Sequence, residues 1–431
     1  MFTRRICKRQ GQILLGVLFA LSPLALPTVA LADDLTELKD QVRKLEKENR
    51  GLQEQLDKQR EVATKLLSRI EQIENREATA SLPHELTDEE SRPLRSAETF
   101  ASLPRLTIRG FSDVGLTTQL KGDEDRVSFK LENIDLFMVS ELTDRVSALF
   151  EADFFSSDTN TMSFGLQRLL LKYALSDLLN IKIGRMHTAL GYWNEVFHHG
   201  SWLQTTVNRP EIYRFERDEG GFLPVHNVGI ELSGTMEAPV MDLGYRLSAM
   251  NGRGRTVTEV QHVSDKNDAK AIGLLLTAKP HSLEGFQFGP MVYWDRIPGD
   301  PPTAGRRDEI DELILGGHAV YLRDPVEFLA ELFHIRHDDK SSPNGFDTLG
   351  FYIQTAYRMG KFKPYYRFDY LDVAKADPYF TGNRRVDRVK HTMGVRWDLF
   401  SWNALKLEYG RTDKETGKDE HEIALNSSFT F

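Results

Sequence analysis

The chain has 431 residues, a formal net charge of -9 and 40% hydrophobic residues, with a mean hydropathy of -0.41. Beyond the first 32 residues no apolar run is long enough to cross a bilayer as a helix, which leaves strands as the only means of crossing one. The one cysteine, Cys7, lies in that first segment, so the remainder offers no disulfide, thiol or cysteine metal site.

Residues 1–32 read as an export signal. Arg4, Arg5, Lys8 and Arg9 form a basic start, Ile13 to Leu26 an apolar stretch, and Ala30-Leu31-Ala32 a small-x-small cleavage site before Asp33. The apolar stretch is too short for a lasting membrane anchor. Cys7 and Lys8 spoil a twin-arginine pattern, so the Sec route is expected.

Residues 33–77 predict a periplasmic coiled coil. Leu35, Leu38, Val42, Leu45, Asn49, Leu52, Leu56, Gln59, Ala63, Leu66, Ile70 and Ile73 step by three and four without a slip, between mostly charged neighbours. Asn49 at a core position costs stability but fixes register, most often in dimers. Residues 78–103, with Pro83 and Pro93 among charged and hydroxyl side chains, predict a flexible linker.

Residues 104–431 predict an all-β antiparallel transmembrane barrel of about 16 strands, from Leu106–Gln119 to Glu420–Phe431. Leu405, Leu407 and Tyr409 alternate with Lys406, Glu408 and Gly410. Phe362, Tyr366, Phe368 and Tyr370 alternate with Lys363, Tyr365, Arg367 and Asp369. Such rows suit lipid on one side and water on the other. A β-sandwich also alternates, but with shorter strands. Connection lengths separate the two. Thr143-Asp144, Ser176-Asp177, Arg323-Asp324 and Ser401-Trp402 are short; Lys121–Arg126, Gly252–Asp268, Pro298–Arg307 and Lys375–Val386 are longer and polar. Short turns alternating with long loops mark a closed barrel, since lipid offers no partner for an open edge.

The last strand places Ile423, Leu425, Phe429 and Phe431 on one parity and Glu422, Asn426, Ser428 and Thr430 on the other. It resembles the closing strand of Gram-negative outer-membrane barrels, whose terminal Phe is an assembly signal. The third long connection, 188–224, is the longest and is rich in aromatics, including Tyr192, Trp193, Trp202, Tyr213 and Phe222. Strand count, loop order and the closing Phe together resemble the 16-stranded porins. With the coiled coil, the chain looks like the dicarboxylate-porin-like and phosphate-selective-porin-like groups. That resemblance implies a third loop folded into the lumen as a constriction; a flap over the rim is the alternative.

Parity points Lys363, Arg367, Lys390, Arg396 and Lys406 inward as a basic arc. Glu211, Glu216, Asp218 and Glu219 on the long loop stand opposite, giving a transverse field across a constriction. Asp369, Asp398 and Glu408 among the cations offer a second reading, neutralised cross-strand pairs. His187, His198, His199 and His226 gather near the loop. Adjacent histidines cannot easily turn both rings to one metal, and no HExxH or i,i+4 spacing is present, so no metal and no cofactor are expected. Ser201 beside His198 and His199 is the only hint of a hydrolase, without a placed third carboxylate. No phosphate-cradling loop or nucleic-acid patch appears.

The expected function is passive diffusion of small hydrophilic solutes through a water-filled barrel, not catalysis. The alternative is a structural protein tethering the coiled coil to peptidoglycan or another partner. The expected partners are outer-membrane lipid and copies of the same chain, a trimer by porin resemblance or a dimer by Asn49.

Overall fold

The computed structural model describes residues 105–431, apart from 121–125, 157–160, 199, 217–219, 260–262, 301–307, 341–342, 382–384 and 417–418. The expected signal, coiled coil and linker lie outside the described residues.

Sixteen long strands close into one barrel. They are β1 (Arg105–Leu120), β2 (Arg126–Thr143), β3 (Val146–Ser156), β4 (Met162–Ser176) and β5 (Leu179–His187). After the long connection come β6 (His226–Glu237), β7 (Met241–Met250), β8 (Ala271–Pro280), β9 (Phe286–Ile297), β10 (Ile310–Arg323) and β11 (Val326–Asp339). The barrel ends with β12 (Gly345–Tyr357), β13 (Phe362–Asp372), β14 (Arg388–Phe400), β15 (Asn403–Lys414) and β16 (Glu420–Thr430). Each strand pairs antiparallel with its chain neighbour, and β1 pairs with β16 from Phe111 opposite Thr430 to Leu120 opposite His421. Phe431 finishes that seam by exchanging backbone hydrogen bonds with Gly110 at 2.8 and 3.0 Å. No edge remains, as a lipid environment requires.

The parity argument holds in three dimensions. On β15, Lys406 and Glu408 are 0% and 2% exposed while Leu407 between them is 51% exposed. That inverts a soluble protein and is what a barrel in lipid needs. Phe362 stacks on Trp397, and Phe400 on Trp402, at centroid distances of 5.4 and 5.1 Å. These outward rings gather at the short-turn end, where an aromatic girdle would meet the membrane interface.

The interior departs from a polar tube. The inward rows of β8 to β13 carry Leu275, Tyr293, Ile314, Phe333, Tyr352 and Leu371, all buried in one cluster with Trp193, Ile212, Tyr213, Phe222 and Leu223 of the long connection. The barrel thus has a hydrophobic core inside its lumen. The third connection folds inward and supplies the other half of it, so the rim-flap alternative does not hold.

Candidate functional site

The long connection leaves the wall after His187 and returns at His226, residues that face each other across the β5–β6 pair. Its first turn is fixed by one carboxylate. Glu331, fully buried on β11, accepts from the backbone N–H groups of Tyr192 and Trp193 at 2.8 and 2.9 Å. It also accepts from the hydroxyls of Tyr213 at 2.8 Å and Tyr352 at 2.6 Å. The short helix α1 (Trp193–Val196) starts there, so Glu331 satisfies N–H groups at its first turn that have no partner within the helix. Gly191 approaches this carboxylate at φ 77°, where a Cβ would overlap Glu331 and the Tyr213 hydroxyl. Only glycine fits that backbone without strain.

From Ser201 to Glu211 the loop lies along β13, β14 and β15, which carry the expected basic arc. Lys406 donates from Nζ to the carbonyls of Ser201, Gln204 and Thr206, the last two at 2.9 Å. Arg396 donates to the carbonyls of Trp202 and Gln204 at 2.7 and 2.9 Å and pairs with Asp398. Arg367 reaches the carbonyls of Asn208 and Arg209 at 2.8 and 3.0 Å and pairs with Asp369 at 2.9 Å. Lys363 holds Glu327 at 2.7 Å and Thr205 at 3.3 Å. Glu408 completes the cradle by accepting the backbone N–H of Val207 at 2.7 Å and of Asn208 at 3.2 Å.

All five cations therefore point inward, with their charged ends on the loop backbone or on acidic neighbours. Glu211 joins them, pairing with Lys390 at 3.1 Å and Arg388 at 3.5 Å. Burial alone would raise its carboxyl, but Lys390, Arg214 and Arg388 together hold it well below the usual range. The side chain of Glu216 and the whole of Asp218 and Glu219 lie outside the described residues, as does His199.

An open cavity of about 820 Å³ remains between the loop and the opposite wall. Asp113, Glu132, Asp135, Asp153, Glu420 and Glu422 line it from β1, β2, β3 and β16; Arg209 and Arg214 line it from the loop. Lys130, Glu211 and Lys390 also border it, so carboxyl groups outnumber cations seven to four around this space. The acidic wall facing two loop arginines was not legible from the parity of the late strands, because it comes from the first three strands and the last. A further network, Arg253–Glu312–His337–Asp377, ties the 251–270 connection to β10, β11 and the 373–387 connection.

No protein-family model matches the sequence, and a search of curated proteins returns no relative. Solved structures do match. An anion-selective porin from Comamonas acidovorans superposes with a TM-score of 0.56 at 10% identity, covering 76% of this chain and 100% of its own. The outer-membrane channel DcaP of Acinetobacter baumannii superposes with a TM-score of 0.52 at 13% identity, covering 77% of this chain and 98% of its own. The fold is a porin fold. At these identities the likeness concerns architecture alone, and the side chains described above have to carry the functional argument.

Sequence reasoning identified the strands, the loop and the inward cations. It missed Glu331 and the apolar lumen wall, and it gathered His187, His198, His199 and His226 near the loop without setting three of the rings against one another. Each ring of that trio lies within 5.1 Å of the other two, centroid to centroid. His198 also stacks on Phe215 at 5.2 Å. Burial, reinforced by Arg209, Arg168 and Arg185, pushes the His198 imidazole well below its usual pKa. A signal for the lumen wall was available: β10 and β11 carry apolar side chains on both parities, with Ile310, Ile314, Val320, Leu329, Phe333 and Ile335 among the acids and histidines of the inner rows, so something besides water has to cover them.

Proposed function

We propose that the chain is an outer-membrane porin, exported by a cleaved Sec signal, that lets small hydrophilic solutes diffuse through the space beside its third loop. It acts as a channel, with no catalytic role and no cofactor. The observation that carries this reading is the loop packed on one half of the lumen, leaving the polar cavity of about 820 Å³ on the other half. A tether has no use for an interior so partitioned. Planar-bilayer recording of the refolded chain is the test. Stable stepwise currents support the channel; a silent barrel supports the structural alternative, a plug that anchors the coiled coil to peptidoglycan or a partner.

The arrangement of charge supports a transverse field in which the wall is negative and the loop edge positive. Polar solutes crossing it are oriented, and apolar ones pay the cost of displacing ordered water. Replacing Asp113 and Glu132 by Asn and Gln, together with Asp153→Asn, should move the reversal potential toward anion preference. The effect should shrink near 1 M salt, where the Debye length is about 3 Å. A reversal potential indifferent to the triple substitution would place the ion path away from this wall.

Identical barrels should associate through the expected coiled coil, whose core seam needs partners from other chains. A trimer is favoured by the porin fold and a dimer by Asn49. Native mass measurement in detergent compares the mature chain with one beginning near residue 103. The truncation should weaken the oligomer without abolishing it; two monomers would assign the heptads to a different partner.

A further inference from the structure

We propose that His187, His198 and His226 form a binding site for a divalent transition-metal cation of the Zn²⁺ class, which clamps the long loop at its root. The proposal stands on geometry independent of the channel reading. His187 ends β5 and His226 begins β6, directly opposite one another, so the pair marks the point where the loop leaves and rejoins the wall. His198 comes down from the turn after α1 and completes a triangle. One ring nitrogen from each of the three lies within 4.8 Å of the others, and all three side chains are buried.

Three imidazoles with one position left open are a recurrent zinc arrangement, and imidazole also suits Cu²⁺ and Ni²⁺. Zn–N bonds near 2.1 Å set neighbouring nitrogens of a tetrahedron roughly 3.4 Å apart, so separations of up to 4.8 Å need to close by up to about 1.4 Å. His198 borders the open cavity, which provides both an entry path and water for the fourth position. The ordinary alternative is aromatic packing, since His198 stacks on Phe215 beside Trp193. Packing alone would be served by phenylalanine, whereas three ring nitrogens converging within 4.8 Å of one another make a donor set that packing does not need.

The surrounding charge limits the affinity. Arg168, Arg185 and Arg209 all act on His198 and oppose an added cation. Glu151 offsets the first through a direct ion pair, and Asp153 acts on Arg185. Binding should therefore be weaker than in closed structural zinc sites, and reversible. Its effect would be mechanical: cross-strand partners at the neck of the loop and a residue 11 positions into it become ligands of one ion.

The test uses the full mature chain, refolded in detergent and stripped with chelator. Zn²⁺ titrated against a chromophoric competitor should bind one per chain. His198→Ala should weaken binding at least as much as loss of an outer-shell partner does, about 10–100-fold. His199→Ala and His281→Ala, the latter an exposed residue paired with Asp242 at 2.8 Å, should leave it unchanged. Absence of stoichiometric zinc, or zinc binding indifferent to His198→Ala, overturns the site. If His198→Ala fails to fold, Co²⁺ added to the unaltered chain decides. The intense visible absorption of a tetrahedral nitrogen-ligated ion upholds the site, and the faint spectrum of an octahedral hydrated ion rejects it.

Discussion

Deleting residues 196–219 should roughly double single-channel conductance and reduce discrimination between solutes, because the described residues of this segment pack on the half of the lumen beside the cavity. The same deletion should lower the thermal stability of the folded barrel in detergent. Ile212 and Tyr213, each 1% exposed, would be lost from the apolar lining. Burial of a side chain of that size contributes about 1.5–3 kcal/mol, and the deletion also bares Phe333 and Leu371 to water. Conductance and a heat-shift gel assay read the two effects separately. A correctly folded deletion variant with native conductance would mean that ions pass without meeting the loop.

Glu331→Ala should be the most damaging single substitution in the loop's attachment. It strands two backbone N–H groups and the Tyr352 hydroxyl inside a water-poor interior, and leaves the Tyr213 hydroxyl with the Leu190 carbonyl alone at 3.1 Å. An unsatisfied buried donor costs about 1–3 kcal/mol, so the summed loss is of the order of 4 kcal/mol even if one of the three finds water. The start of the loop should come away from β11, giving noisy, fluctuating currents in place of steady steps. Glu331→Gln keeps one strong acceptor and should fall between. Quiet, native-like currents and unchanged unfolding in the alanine variant would show that Glu331 is not the fastening point.

The strands were legible because two solvents act on the chain. Lipid selects Leu405, Leu407 and Tyr409 while the interior selects Lys406 and Glu408, and a period of two follows directly. Connection lengths then ordered the strands without any long-range information. The site was legible only in part. Parity put Arg367, Arg396 and Lys406 on the inner face, but their principal acceptors include loop carbonyls, and a carbonyl carries no residue label in a sequence. The histidine trio was opaque for a related reason. Its members are 11 and 28 residues apart, and only closure of the β5–β6 pair brings the outer two face to face. The acidic cavity wall joins strands from opposite ends of the chain, which become neighbours through the β1–β16 seam.

The cradle under the loop also constrains the order in which the molecule can be built. The Val207 backbone is held by Glu408, 201 positions further along the chain, and Glu211 by Asp369, 158 positions further along. The loop therefore cannot reach its seat until nearly every later strand has been laid down. Contacts so distant in sequence repay their closure entropy late, which makes the final seating slow relative to pairing of adjacent hairpins. A cell delivering this protein must keep Trp193, Tyr213 and Phe222 out of other company for that interval. A barrel with apolar side chains both outside and inside has in effect two surfaces to chaperone, one facing outward and one for itself.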